Sequence, residues 1–116
     1  MAVYNELGPG YKEEIYQKAL ELELSANNLS FEPQKALSIL FKGTQVGLHF
    51  LDFLVEDKIV IEIKALSHLD NSCEAQVISY LKASGCEVGL LINFGEEKLV
   101  YKRILPPEKI RKRSTD

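Results

Sequence analysis

The sequence predicts an α/β (α+β) domain: a mixed sheet flanked by helices, with elements in the order helix, three strands, helix, two strands. Three observations predict it. Apolar residues recur at helical spacing in two stretches, 11–26 and 71–84. Five short runs rich in Val, Ile, Leu and Phe are bounded by turn residues. The first three runs are joined by short turns and suit an antiparallel meander, whereas the fourth follows a helix and can join the sheet parallel by a crossover.

Gly8-Pro9-Gly10 breaks the chain ahead of the first helix. Tyr11, Ile15, Ala19, Leu22 and Ala26 mark its apolar stripe, Tyr16 and Leu20 widen it, and Asn27-Asn28 ends it. Residues 31–41 read as a strand, with Pro33 near its start, where a missing donor is tolerated. Gly43 punctuates a hairpin, and residues 46–55 and 59–65 are the second and third strands. In the second helix Asn71 followed by Glu74 suits a capping box, and Gly85 suits the position after the C-cap. Cys73, Val77, Tyr80, Leu81 and Ser84 form its inner stripe. Residues 88–93 are apolar up to Asn93, as in a strand buried on both faces. Phe94-Gly95-Glu96-Glu97 turns the chain into a last strand, 99–105, which Pro106-Pro107 stops. The expected organisation is one domain, 1–105, with a basic tail, 106–116.

At 116 residues, 46% hydrophobic and 27% charged, the chain lies in the range of a single globular domain. No apolar run approaches the ~18 residues of a membrane span, and the N-terminus lacks the basic and apolar regions of a signal peptide. Cys73 and Cys86 have no metal-ligand spacing and read as small core residues of a protein in the reducing cytoplasm. The net charge of −3 is unevenly spread: residues 1–97 hold 7 basic and 15 acidic side chains, and residues 98–116 hold 7 basic and 2 acidic. The tail segment Lys109-Ile110-Arg111-Lys112-Arg113 could touch phosphates or be a solvated terminus.

The chemistry concentrates in the second and third strands. Alternation places Ile59, Ile61, Ile63 and Ala65 on one face, and Val60, Glu62 and Lys64 on the other. Asp52 interrupts an otherwise apolar run, where a lone carboxylate is costly to bury without compensation. A three-residue connection, Glu56-Asp57-Lys58, sets Val55 against Ile59 and therefore Asp52 against Glu62, on a shared face with Cβ atoms about 5 Å apart. Two such carboxylates repel unless one is protonated or a cation bridges them. A hard cation such as Mg²⁺ suits this donor set, and a surface network neutralised by Lys64 is the alternative. His49 falls on the other face from Asp52 and reads as structural or exposed.

The spacing of Asp52 and Glu62-Ile63-Lys64 resembles the D…ExK signature of the PD-(D/E)XK nuclease-like superfamily. Gly10-Tyr11-Lys12-Glu13-Glu14-Ile15-Tyr16 resembles the GxxExxY motif that names one of its branches. Gln34, Lys42-Gly43, Ala75-Gln76, Ser79-Tyr80-Leu81-Lys82 and Gly89-Leu90-Leu91-Ile92-Asn93-Phe94-Gly95 extend the likeness over about residues 3 to 104. The resemblance implies a restriction-endonuclease-like core and Mg²⁺- or Mn²⁺-dependent hydrolysis of phosphodiester bonds in nucleic acid, DNA or RNA. It implies metal coordination by Asp52 and Glu62, and Lys64 orienting or activating the attacking water. It also implies assisting roles for Glu13 on the first helix and Gln76 on the second. Inactive members exist, so a binding module that keeps the fold, or a structural homodimer, are the rival expectations. Tyr16 and Tyr80 read as core residues with a bonded hydroxyl. Family members often carry a helical lead-in ahead of the Gly-Pro-Gly segment; here seven residues precede Gly8.

Overall fold

A computed structural model describes residues 1–107, and the basic segment Lys109 to Arg113 lies outside them. The elements are α1 (Ala2–Leu7), α2 (Glu13–Ala26), β1 (Phe31–Phe41), β2 (Thr44–Val55), β3 (Ile59–Lys64), α3 (Asn71–Ser84), β4 (Val88–Asn93) and β5 (Val100–Ile104). The five strands form one sheet in the order β1-β2-β3-β4-β5. All neighbours are antiparallel except β3 and β4, which are parallel, as their connection through α3 requires.

Helix α2 covers one face of the sheet and α3 the other. Under α2, Tyr16, Leu20 and Leu24 pack with Phe53, Val55, Ile61, Ile63, Ile92 and Phe94. Under α3, Cys73, Val77, Tyr80 and Leu81 pack with Leu51, Val60, Leu91 and Ile104. Strand β4 contributes Leu91 to one core and Ile92 to the other, the double burial expected of its apolar run. A Cβ on Gly89 would come within 2.6 Å of Val77 Cγ1, so the missing side chain is what lets α3 settle on the sheet.

Two local expectations are corrected, and the segment ahead of Gly8 proves helical. The inner stripe of α2 is Tyr16, Leu20 and Leu24, while Tyr11, Ile15 and Leu22 are exposed. Tyr16 sets the rotation: its ring stacks on Phe94 with centroids 4.5 Å apart, and its hydroxyl donates to the Gly8 carbonyl at 2.6 Å. The cap of α3 is Asp70 and not Asn71, because the Asp70 carboxylate accepts from the N–H groups of Ser72 and Cys73. Ahead of Gly8 lies a six-residue helix, α1, which buries Val3 and whose Tyr4 hydroxyl donates to the Glu96 carbonyl.

The β1–β2 ribbon shifts its register between Ile39 and Leu40, and it also changes face along its length. Phe31 and Phe53 pack under α2, whereas Leu37 and Leu51 pack under α3, although each pair has the same parity. The alternation breaks at Gln34, which has φ 50°, and at Asp52, which the register sets opposite it. Beyond the break β2 no longer pairs with β3. The ribbon runs on with Leu48 and Phe50 uncovered on the side away from α3.

Candidate functional site

The three-residue connection forms as the period of two demands. Glu56 and Asp57 take left-handed backbone angles, and Val55 pairs with Ile59. The β2–β3 ladder stops at Phe53 and Ile61, one step short of Asp52 and Glu62. There the side chains replace the backbone as partners. The Asp52 N–H donates to Glu62 Oε1 at 3.2 Å, and the Ile63 N–H donates to Asp52 Oδ2 at 2.8 Å. Each carboxylate therefore spends one oxygen on a backbone N–H of the opposite strand.

The two carboxyl groups approach each other at this point, but their surroundings differ. Asp52 opens into a recess of about 200 Å³ lined by Glu13, Glu14, Gln17, Gln34 and Ile63. Gln34 Nε2 approaches its Oδ1 at 3.4 Å, and Gln17 Nε2 donates to its carbonyl at 3.1 Å. Glu62 is only 4% exposed, on the side of His49 and Tyr80. Burial first, and the charge of Asp52 second, push the Glu62 carboxyl up to about 8, against a smaller opposing pull from Lys64. Partial desolvation and then Asp52 also raise the Glu13 carboxyl, so the electrostatics link the first-helix glutamate to the strand pair.

Lys64 Nζ donates to Gln76 Oε1 at 3.1 Å, which joins the lysine of the third strand to the glutamine of α3. Its backbone is fixed from β4: the Phe94 N–H donates to the Lys64 carbonyl at 2.8 Å. Asn93, fully buried, clamps the following segment by accepting from the Leu66 N–H at 2.9 Å and donating to the Leu66 carbonyl at 3.0 Å. Gly95 is required beside this clamp, because a Cβ there would lie 2.3 Å from the Leu66 carbonyl oxygen.

Asp52, Glu62, Lys64, Glu13 and Gln76 are thus drawn to one region. Among the described residues, however, no three His, Cys, Asp or Glu side chains stand close enough together to hold a metal ion. His49, read from the sequence as structural or exposed, is a further polar side chain beside the pair. It lies on the α3 side, with its ring stacked on Tyr80 and Nε2 at 3.8 Å from Glu62 Oε1. The only signal that could have placed it is the face change at Gln34 and Asp52, which alternation alone does not reveal.

The family model of the PD-(D/E)XK nuclease superfamily matches residues 1–104. The crystal structure of SSO0001 superposes with a TM-score of 0.63 at 21% identity, a likeness of fold, over 89% of this chain and 55% of that one. This chain therefore spans about half the length of that neighbour. No curated protein matches the chain.

Proposed function

Given a chain that belongs to the PD-(D/E)XK nuclease superfamily, we propose that it is a metal-dependent phosphodiester hydrolase acting on nucleic acid, of the GxxExxY branch and at work in the cytoplasm. The observation that carries this reading is the Asp52–Glu62 pair. A carboxyl pushed up to about 8 by burial and by a neighbouring carboxylate is a repulsion held in the fold, with Lys64 too weak to cancel it. Each of the two groups keeps one oxygen without a backbone partner. Such an all-oxygen donor set fits a hard dication, and Mg²⁺ or Mn²⁺ takes one or two carboxylates and retains waters.

Asp52 and Glu62 would hold the ion, which when bound lowers the pKa of water and offsets charge on the phosphoryl oxygens. Lys64 is a cation on a long stem, held at its tip by Gln76. It orients the attacking water and offsets the charge that builds on the non-bridging oxygens as the phosphorus–oxygen bond to the leaving group breaks. Glu13 borders the recess that Asp52 opens into, where its carboxylate would accept a hydrogen bond from the attacking water.

A second reading, a binding module that keeps the fold without turnover, is favoured by the lack of a three-donor cluster among the described residues. Cleavage assays on single- and double-stranded DNA and RNA, with Mg²⁺, with Mn²⁺ and with chelator, separate the two. Hydrolysis that needs the metal and is lost in Glu62→Gln supports the first. Binding without hydrolysis under every condition supports the second.

A further inference from the structure

His49 lies outside the D…ExK set and yet reaches into it. Its Nε2 is shielded from solvent and has no hydrogen-bond partner, although the ring as a whole is 32% exposed. Buried polar atoms are nearly always paired, so an unpaired one facing a buried carboxyl needs a reason. The ring is held in place. It stacks on Tyr80 with centroids 4.0 Å apart and planes 17° from parallel, and the Tyr80 hydroxyl touches Nδ1 at 3.2 Å.

The contacts are consistent with one arrangement. The Tyr80 hydroxyl, 3.2 Å from Nδ1, is placed to donate to it. On a neutral imidazole that leaves the ring proton on Nε2, facing Glu62. Glu62 Oε1 already accepts from the Asp52 N–H at 3.2 Å. A second donor, now 3.8 Å from the same oxygen, would on closing fix the plane of the carboxylate and leave Oε2 to a cation.

We propose that His49, held by Tyr80, is a positioning residue for Glu62: its Nε2–H orients the carboxylate so that Oε2 serves the metal. The assignment rests on the metal-dependent reading above. It applies a general feature of metal centres, in which ligand carboxylates are themselves held by hydrogen bonds and loss of that support lowers metal affinity.

Two measurements test it, neither of which reads catalysis. The chain has two histidines, so a His68→Gln background leaves His49 alone in a ring nitrogen-15 spectrum. The expected tautomer carries its proton on Nε2, and Tyr80→Phe should shift the population towards Nδ1. Calorimetric titration with Mn²⁺ then compares His49→Phe, which keeps the stack and loses the donor, with His49→Gln, which returns an amide donor. The Phe variant should bind about tenfold more weakly and the Gln variant should recover most of the loss. Should the Phe variant fail to fold, the Gln and Met variants make the same comparison. An Nδ1–H tautomer in the wild type, or donor-less variants that bind Mn²⁺ as the wild type does, would overturn the assignment alone. A wild type with no Mn²⁺ binding would overturn the metal-dependent reading, and the role of His49 with it.

Discussion

Asp52→Asn should raise the stability of the metal-free protein at neutral to alkaline pH. Glu62 has a folded pKa of about 8, raised by burial first and by Asp52 second, against about 4.3 in an unfolded chain. A group whose folded pKa is raised stabilises fully below its unfolded pKa, and that contribution is lost as pH climbs to the folded value. The wild-type protein should therefore lose stability between roughly pH 4.5 and 8, with a limiting slope of about 1.4 kcal/mol per pH unit. The substitution removes the second cause and leaves burial in place. Asparagine can still accept from the Ile63 N–H, now 2.8 Å from the carboxylate, and the Gln34 amide can turn to present its oxygen. Two like charges roughly 5 Å apart at an effective dielectric constant of ~20 repel by about 3 kcal/mol, so relief of part of that repulsion should give the variant about 1–3 kcal/mol at pH 8. For a chain of 116 residues this is roughly 4–12 °C in melting temperature. Thermal melts followed by circular dichroism at pH 5 and pH 8, with chelator, read the effect: a clear gain at pH 8 that shrinks at pH 5. Added Mn²⁺ should then raise the wild type, by about 2.7 kcal/mol at a hundredfold excess over Kd, and leave the variant flat. A variant that melts well below the wild type at pH 8 would refute the reasoning, because Asp52 would then be a satisfied member of a structural network.

Lys64→Ala should keep the fold and bind Mn²⁺ at least as well as the wild type, since it removes a cation from beside the carboxylates, yet lose hydrolysis; wild-type cleavage by this variant would disprove the role assigned to the lysine. Gly95→Ala should cost about 1–3 kcal/mol, because its Cβ meets backbone at 2.3 Å and the Leu66 segment must move, and chemical denaturation measures it. Tyr16→Phe should cost about 1 kcal/mol by freeing the Gly8 carbonyl, with Mn²⁺ affinity unchanged in calorimetry, which places the tyrosine in the scaffold and not in the chemistry.

The parts of the fold legible in the sequence were those governed by a local rule. The period of two and a three-residue turn give the Val55–Ile59 register, while Asp52 and Glu62 lie one step beyond the last ladder pair and meet the opposite strand through their side chains. Apolar runs marked β1 and β4 to the residue, and Gly85 stopped α3, where it adopts φ 75°. What alternation could not supply was the face. Gln34 enters a left-handed conformation that its type does not advertise, and the ribbon reverses its sides there. That reversal carries His49 and Leu51 to the α3 side, which alternation does not reveal. In α2 two apolar stripes compete in the sequence. The one that wins contains Tyr16, because stacking on Phe94 and a bond to Gly8 are long-range contacts that helical periodicity does not weigh.

The central claim is that the Asp52–Glu62 pair is a cation site. Calorimetric titration of the wild type with Mn²⁺ and Mg²⁺ at pH 7.5, beside Asp52→Asn, tests it most directly. Because Glu62 is largely protonated below about 8 when the site is empty, binding should release a proton, so the apparent enthalpy should change with the ionisation enthalpy of the buffer. Saturable binding of one ion with proton release is expected in the wild type, and neither in the variant. No heat of binding up to millimolar metal, or equal binding by Asp52→Asn, would contradict it.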